Sequence, residues 1–320
     1  MRINTVAEAS SNKKSCGIAF SMTLLHPRYW LTWVSLILAF IVAQLPEGLR
    51  HALGRKVGNA IYNNKKKKRY KVVKTNLEIA FPNLSEEKRE ALIKDHLAWY
   101  GCALVDYSLL FFASQKRLAS KVEIAGKAHI DNALAENKSI IILLAHSVML
   151  EFGPAALGFH YEAFGSYKTS KNAVMDWMIA KARCRHVAFV VSRDEGLRKL
   201  VKSLTPGRLM IFLPDEDLGK ENAVFVPFFG KQKATLTTTA RLAKLGKAAA
   251  LPAFAWYNST TQKYVLEIAP ALQDYPSKNT NEDAHQLNQA LEKLIQKNPA
   301  QYMWLLKWYR TRPDGQKSIY

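Results

Sequence analysis

Two patterns in the sequence predict an α/β fold, with a mostly parallel central sheet flanked by helices and an N-terminal hydrophobic membrane-anchor helix. The first pattern is a series of short, apolar, β-rich runs, most of them separated by helical patterns. These runs are Ser139 to Ala145, Val187 to Val191, Leu209 to Leu213, Ala248 to Phe254 and Tyr264 to Ile268. The second pattern is an uncharged apolar stretch near the N-terminus.

That stretch runs from Trp30 to Leu45 without a charged residue, and Pro46 closes it. It is shorter than the roughly 20 residues that cross a bilayer upright, so a short span, an in-plane anchor and a buried helix all remain open. A membrane anchor is the favoured interpretation. We therefore divide the chain into a polar N-terminal lead (1–29), a membrane-anchor segment (30–46) and one mixed α/β domain (47–320).

Charge indicates a polyanionic partner. The chain has 46 lysines and arginines against 26 acidic residues, a formal net charge of +20. The basic run from Lys65 to Lys71 follows the apolar segment, which favours a cytoplasmic location for the main domain and attraction to acidic lipid headgroups. A solvated loop is the alternative. The sequence has no helix-turn-helix, zinc-finger or RNP motif, so nucleic acid is not an expected partner.

Three helices are predicted beyond the basic run. Ser85 is a good N-cap for a helix that continues to about Leu110, with a break near Gly101. Thr235 is the expected cap of a second helix, which Gly246 ends. Apolar residues recur at helical spacing in the third, which ends before Pro299 and contains Ala284, Leu287, Leu291 and Leu294.

The candidate catalytic residues follow the first apolar run directly. His146 comes at the carboxyl end of a predicted central strand, where open α/β sheets present their binding crevices. Glu151 lies five residues on, and the two side chains can meet if His146 lies in the loop and Glu151 in the first turn of the next helix. The carboxylate would then fix the imidazole tautomer and leave the other ring nitrogen as a general base. A strand-capping histidine and a helix-terminal glutamate are the structural alternative.

An internal nucleophile is missing from this arrangement. The sequence contains no GxSxG motif, and none of its three cysteines has a catalytic context. We infer that a substrate hydroxyl, deprotonated by His146, attacks a thioester or ester carbonyl directly. No cofactor is expected.

The segment AHSVMLE, which carries His146 and Glu151, resembles the HX4(D/E) motif of glycerolipid-type acyltransferases, in the Glu form typical of the late lipid A acyltransferase family. Four further segments resemble that family in the same order, over roughly residues 25 to 315. They are NLEIAFPNLS, YKTSKNAVMDWM, LPDEDLGKENAVFVPFFGKQKATLT and PAQYMWLLKWYRTRP.

The resemblance implies transfer of a fatty acyl chain from acyl carrier protein to a hydroxyl of a phosphorylated Kdo-lipid A precursor. The enzyme would lie at the bacterial inner membrane, with residues 47–320 as an acyltransferase domain on the cytoplasmic face. An acidic carrier protein and an anionic acceptor both suit a basic enzyme.

The resemblance also assigns roles to individual residues. It makes His146 the general base and Glu151 its partner. Arg183 matches a family arginine expected to face the acyl carbonyl oxygen or an acceptor phosphate, with an ordinary basic helix residue as the alternative. Lys168 stands where the family usually has arginine, and Thr235 is expected near the site.

Asp215, Glu216 and Asp217 replace the family's usual Asp-Gln-Asp. Three acids after a strand can suggest a metal site, but we interpret them as residues that cap and orient a loop, and we expect no metal. Asp215 is included among the candidate oxyanion or substrate-binding residues.

Two other functions are weighed against this one. The first is an acyltransferase for another glycolipid or glycerophospholipid acceptor; the glycerophosphate version is disfavoured because the chain lacks an FPEG-like segment and has Glu in place of Asp. The second is a non-catalytic basic protein that binds membranes.

Overall fold

The computed structural model describes residues 20–167, 169–192 and 196–320. Its strands are β1 (Val122–Ala125), β2 (Ser139–Ala145), β3 (Glu162–Tyr167), β4 (Phe189–Ser192), β5 (Arg208–Phe212), β6 (Ala223–Phe228), β7 (Lys231–Leu236), β8 (Ala248–Asn258) and β9 (Lys263–Ile268). Within this part of the chain, seven strands form one sheet in the order β1-β9-β8-β2-β5-β3-β4, and β6 and β7 form a separate hairpin.

The sheet is mostly parallel, as predicted. Strand β2 pairs in parallel with β8 on one side and β5 on the other, whereas β8 and β9 are antiparallel. Every residue of β2 is buried, which explains the unbroken apolar run of its sequence: a strand covered on both faces has no polar side.

Twelve α-helices lie in the described residues. They are α1 (Trp30–Gln44), α2 (Glu47–Tyr62), α3 (Lys68–Ala80), α4 (Glu86–Asp106), α5 (Ser108–Phe112), α6 (Gln115–Lys121), α7 (Lys127–Ala135), α8 (Phe152–Gly158), α9 (Ala173–Cys184), α10 (Gly196–Ser203), α11 (Thr238–Gly246) and α12 (Thr280–Lys297). Successive residues of β2 point to opposite faces. Ile141 and Leu143 join the core formed with α3, α4, α11 and α12, and Ile142 joins the core formed with α7 and α8.

All five predicted strands are present, with ends that differ by a few residues. Strands β1 and β3 and the β6–β7 hairpin were not predicted. In β3 the sequence EAFGSY contains a charge and a glycine, so it lacks the continuous apolar run of the other strands.

The predicted break near Gly101 is wrong. Helix α4 continues through it, and Gly101 lies where α4 crosses α2. A Cβ atom on Gly101 would lie 2.0 Å from the carbonyl oxygen of Gly54, and one on Gly58 would lie 2.2 Å from that of Leu97. These glycines therefore serve close helix packing.

The predicted helix start at Thr235 is also wrong. Thr235 belongs to β7, where it pairs with Val224, and the helix begins at Thr238 with Thr237 as its N-cap. The antiparallel pairing with β6 extends the strand past Thr235 and moves the helix start. The third helix is confirmed as α12, and its apolar stripe is buried.

The predicted membrane-anchor segment is helical over Trp30–Gln44. Among the described residues, no helix is long and apolar enough to cross a membrane. Leu36 and Ala43 of α1 are buried, and most of its other large apolar side chains are exposed, including Leu31 at 79%.

Candidate active site

His146 lies directly after β2, at the carboxyl edge of the parallel strands, as predicted. Its side chain is 14% exposed, so part of it is accessible from solvent. The centroid of its imidazole ring lies 5.9 Å from the centroid of the Trp308 ring.

Asp215 is the carboxylate that holds His146. Its Oδ1 accepts a hydrogen bond from Nδ1 of His146 at 2.6 Å, and its Oδ2 accepts one from the His146 backbone N–H at 2.8 Å. Strands β2 and β5 are neighbours, with Leu143 paired to Phe212, so the residues that follow them meet at the sheet edge. A carboxylate at Nδ1 selects the tautomer with the lone pair on Nε2, which is the arrangement of a general base.

Several charges act on the buried Asp215 carboxyl. Burial raises its pKa, but the nearby His146 charge, the hydrogen bonds from His146 and the charge of Lys233 together hold it below the usual range. Asp215 is therefore ionised at neutral pH and can stabilise an imidazolium.

The described side chains of Glu151 and His146 share no hydrogen bond, and the role of Glu151 as the partner of His146 stays a prediction. Glu151 is instead paired with Arg183: Nε of Arg183 donates to its Oε2 at 3.1 Å, and Nη2 donates to its Oε1. Glu151 stands at the N-cap of α8 and Arg183 in the last turn of α9. The two helices bring the fork of the guanidinium against both carboxylate oxygens.

The Glu151–Arg183 pair lies in the wall of an apolar pocket of about 380 Å³. Helices α4, α5, α8 and α9 supply most of the remaining wall, which is formed mainly by Leu104, Leu110, Phe111, Ala155, Met175, Ile179 and Ala182. A narrow apolar cavity with one charged pair suits a hydrocarbon chain that ends in a polar group.

Tyr107 connects the pocket to the His146 loop. Its ring lines the pocket, and its hydroxyl donates to the carbonyl oxygen of Val148 at 2.7 Å. The pocket therefore adjoins the segment that carries the candidate base.

Lys233 is a buried cation close to Asp215 that the sequence did not suggest. It projects from β7, is completely buried, and its ammonium lies 5.4 Å from the centre of the Phe228 ring. Burial lowers the pKa of Lys233 to about 8, although Asp215 and Asp217 act to raise it.

The remaining predicted site residues have other surroundings. Thr235 is buried, and its hydroxyl accepts a hydrogen bond from Asn288 of α12 at 3.0 Å, so it is a core residue. Lys168 lies outside the described residues. Asp217 accepts hydrogen bonds from the backbone N–H and the hydroxyl of Thr311, both at 2.6 Å, which fixes a loop.

Metal ligands are not clustered in the described part of the chain: no group of three or more His, Cys, Asp or Glu side chains there is arranged to hold an ion. Phe228 and Phe229, two aromatics that follow each other in the sequence, belong to the core with Trp304 and do not line the pocket.

Two residues near Asp215 were missed by sequence reasoning. Tyr302 donates its hydroxyl to Asp215, and Lys233 is buried nearby. Tyr302 lies in a segment that resembles the family, which was the available signal. Lys233 gave none, because a lysine in a half-polar strand looks solvent-exposed.

A mostly parallel α/β sheet with a carboxylate-held histidine at its edge, beside an apolar pocket, fits an enzyme of the acyltransferase type. Residues 18–311 match the profile of the bacterial lipid A biosynthesis acyltransferases. The chain belongs to this family.

Named relatives cover nearly the whole chain. A lipid A biosynthesis lauroyltransferase of Escherichia coli is 32% identical over 302 residues, 94% of this chain and 98% of the relative. A lipid A biosynthesis acyltransferase of Haemophilus influenzae is 34% identical over 298 residues, 93% of each chain. A lipid A biosynthesis myristoyltransferase of E. coli is 26% identical over 314 residues, 98% of this chain and 97% of the relative.

Proposed function

We propose that this acyltransferase moves a fatty acyl chain from acyl carrier protein to a hydroxyl of a Kdo-lipid A precursor, with His146 as the general base held by Asp215. The observation that carries this proposal is the 2.6 Å hydrogen bond between His146 Nδ1 and Asp215 beside the apolar pocket.

The acyl chain of the donor occupies the pocket, with its thioester carbonyl near Glu151 and Arg183. Nε2 of His146 takes the proton of the acceptor hydroxyl as that oxygen attacks the carbonyl carbon. The carbon–sulfur bond breaks, the ester forms, and the leaving thiolate takes the proton from the imidazolium. Asp215 stabilises the imidazolium through this cycle without accepting the proton.

Arg183 stabilises the negative charge that develops on the carbonyl oxygen. Its guanidinium is held in place by Glu151, so Glu151 acts through Arg183 and not through His146. A preoriented cation in a partly buried site costs little reorganisation during the reaction. Glu151, the glutamate of the HX4E motif, thus has the role of holding Arg183, which is consistent with its contacts.

Membrane attachment is supported by exposed apolar side chains on α1 and α2. On α1, the side chains of Leu31, Ile37 and Ile41 are 79%, 59% and 53% exposed. On α2, Leu49 and Leu53 are spaced four residues apart, and their side chains are 55% and 40% exposed. Such a surface lies in the plane of a bilayer interface without crossing it. The exposed lysines that follow α2 add attraction to acidic lipids.

Helix α1 also supports the wall of the pocket. Thr32 accepts a hydrogen bond from Asn172, the N-cap of α9, at 2.8 Å, and Trp33 lies 6.1 Å from Trp177, centroid to centroid. A bilayer under α1 therefore lies beside the acyl pocket. We place the enzyme at the bacterial inner membrane with residues 47–320 on the cytoplasmic face.

The experiment is a transfer assay with purified full-length protein, acyl carrier protein bearing a fatty acyl chain, and a Kdo-lipid A precursor, followed by mass spectrometry of the lipid. We expect a gain of one acyl chain with the unaltered protein and none with His146→Gln. A glycerophosphate acceptor is run in parallel. Acylation of that acceptor alone would favour the second acyltransferase function and refute the proposed acceptor.

A further inference from the structure

A segment near the C-terminus lies across the loop that carries His146. The backbone N–H of Met303 donates to the carbonyl oxygen of His146 at 3.1 Å, and that of Val148 donates to the carbonyl oxygen of Gln301 at 2.9 Å. Ser147 and Tyr302 form an isolated antiparallel bridge between these two contacts. The loop is thus held from outside the sheet as well as by β2.

The side chain of Tyr302 reaches past the loop to the carboxylate. Its hydroxyl donates to Oδ2 of Asp215 at 2.9 Å, and the residue is completely buried. Its ring stacks on that of Trp308, with centroids 4.8 Å apart and planes 21° apart, and Trp308 in turn lies against His146.

Hydrogen bonds therefore hold both oxygens of the Asp215 carboxylate. Oδ1 faces Nδ1 of His146, and Oδ2 accepts from the His146 backbone and from Tyr302. Rotation of the carboxylate about its Cβ–Cγ bond would break at least one of these contacts. Without the phenol, the hydrogen bonds that the described residues donate to this carboxylate would come from His146 alone.

We propose that Tyr302 is a positioning residue for the acyl transfer: its hydroxyl fixes the plane of the Asp215 carboxylate and moderates how strongly that carboxylate supports charge on His146. This inference rests on the proposed function. A hydrogen bond from the phenol withdraws charge from the carboxylate, so its loss makes the imidazole more basic as well as less well oriented.

Tyr302→Phe tests the proposal, and Tyr309→Phe is its matched control. Tyr309 lies in the same segment, is also completely buried, and donates its hydroxyl to the carbonyl oxygen of Phe228 at 2.9 Å. Both changes remove one buried phenol oxygen, but only the first touches Asp215.

We expect Tyr302→Phe to lower kcat about ten- to a hundredfold, with KM for the acyl donor nearly unchanged. The acid limb of its pH–rate profile should move to higher pH. Tyr309→Phe should keep both the kcat and the profile of the unaltered protein. Equal kcat values and superimposable profiles for the two variants would overturn the proposal.

A second variant covers the case in which Tyr302→Phe does not fold. Site-specific 3-fluorotyrosine at position 302 keeps the shape and strengthens the donor, so the acid limb should move to lower pH. An unmoved limb would contradict the proposal. Absence of acyl transfer by the unaltered protein would instead refute the proposed function. Failure of the Tyr302 proposal and failure of the proposed function are therefore distinguishable.

Discussion

Asp215 lies 2.6 Å from Nδ1 of His146, although 69 residues separate them in the chain. The carboxylate of Glu151, five residues from His146, accepts hydrogen bonds from Arg183. The two carboxylates therefore have separate partners, and variants of each should fail in different ways.

Removal of the guanidinium tests the role of Arg183. We expect Arg183→Gln to lower kcat about a hundred- to a thousandfold, the usual cost of one lost donor to a developing oxyanion. Steady-state kinetics with saturating acceptor measure this.

Glu151→Gln should lower kcat by part of the same factor. The double variant should have a kcat no lower than that of Arg183→Gln alone, because the two residues act as a unit. Additive losses in kcat would show that Glu151 has a role independent of Arg183.

The position of His146 could be read from the sequence, but its partner could not. The apolar run of β2 identifies a buried strand, and the histidine follows it directly. The contact with Asp215 depends on β5 lying beside β2, and the order of strands in a sheet is not written in their individual patterns. The pairing of Glu151 with His146 was predicted from their spacing and from the family resemblance. In the structure a turn at residues 148–151 leads to Glu151 at the N-cap of α8, where it pairs with Arg183.

The packing role of Gly101 could not be predicted from the sequence for a similar reason. Gly101 looked like a helix break because its contact with Gly54 on α2 lies 47 residues away. The core stripes of α12 were predictable, since helical periodicity is a local property.

Pocket volume should set the acyl chain length. Ala182 is nearly buried in the pocket wall, so Ala182→Leu fills part of the space. We expect a preference shifted to shorter chains, measured by competition between carrier proteins loaded with chains of different length.

Lys181→Leu is the control for this change, because Lys181 is exposed and does not line the pocket. It should leave the chain preference unaltered. An unchanged preference in Ala182→Leu would place the acyl chain elsewhere.

The positive charge of the buried Lys233 ammonium should lower the free energy of unfolding. Burial lowers its pKa from 10.5 to about 8, so the folded state binds this proton less tightly than the unfolded state does. The cost is complete below about pH 8 and is relieved as the pH rises towards 10.5. The lowered pKa already includes the attraction of Asp215 and Asp217, so Lys233→Met should raise the free energy of unfolding at pH 7 by about 1–3 kcal/mol.

Urea denaturation at pH 7 and pH 9.5 measures this, with Lys231→Met at the exposed start of the same strand as control. The control should lie within about 0.5 kcal/mol of the unaltered protein. A destabilised Lys233→Met protein at pH 7 would mean that the ammonium contributes more to Asp215 and Asp217 than its burial costs.

Exposed apolar residues of α1 should govern vesicle binding. Leu31→Glu combined with Ile37→Glu removes two side chains that each gain about 1.5–3 kcal/mol on leaving water. We expect at least a tenfold weaker partition onto vesicles of mixed zwitterionic and anionic phospholipids, measured by sedimentation.

Leu245→Glu, at a leucine of α11 that is 58% exposed, should bind as the unaltered protein does. An equal loss of vesicle binding in the double variant and in Leu245→Glu would mean that the change in net charge, and not the apolar side chains of α1, weakens binding.

The most direct test of the account is kcat for acyl transfer by Asp215→Asn, with Glu216→Gln as the neighbouring control. An amide at position 215 no longer selects the same tautomer of His146 or stabilises its charged form, so we predict a loss of about 10³–10⁴-fold, with near-normal turnover in the control. Turnover of Asp215→Asn within tenfold of the unaltered enzyme, under conditions where His146→Gln is inactive, would contradict the claim that Asp215 holds the base.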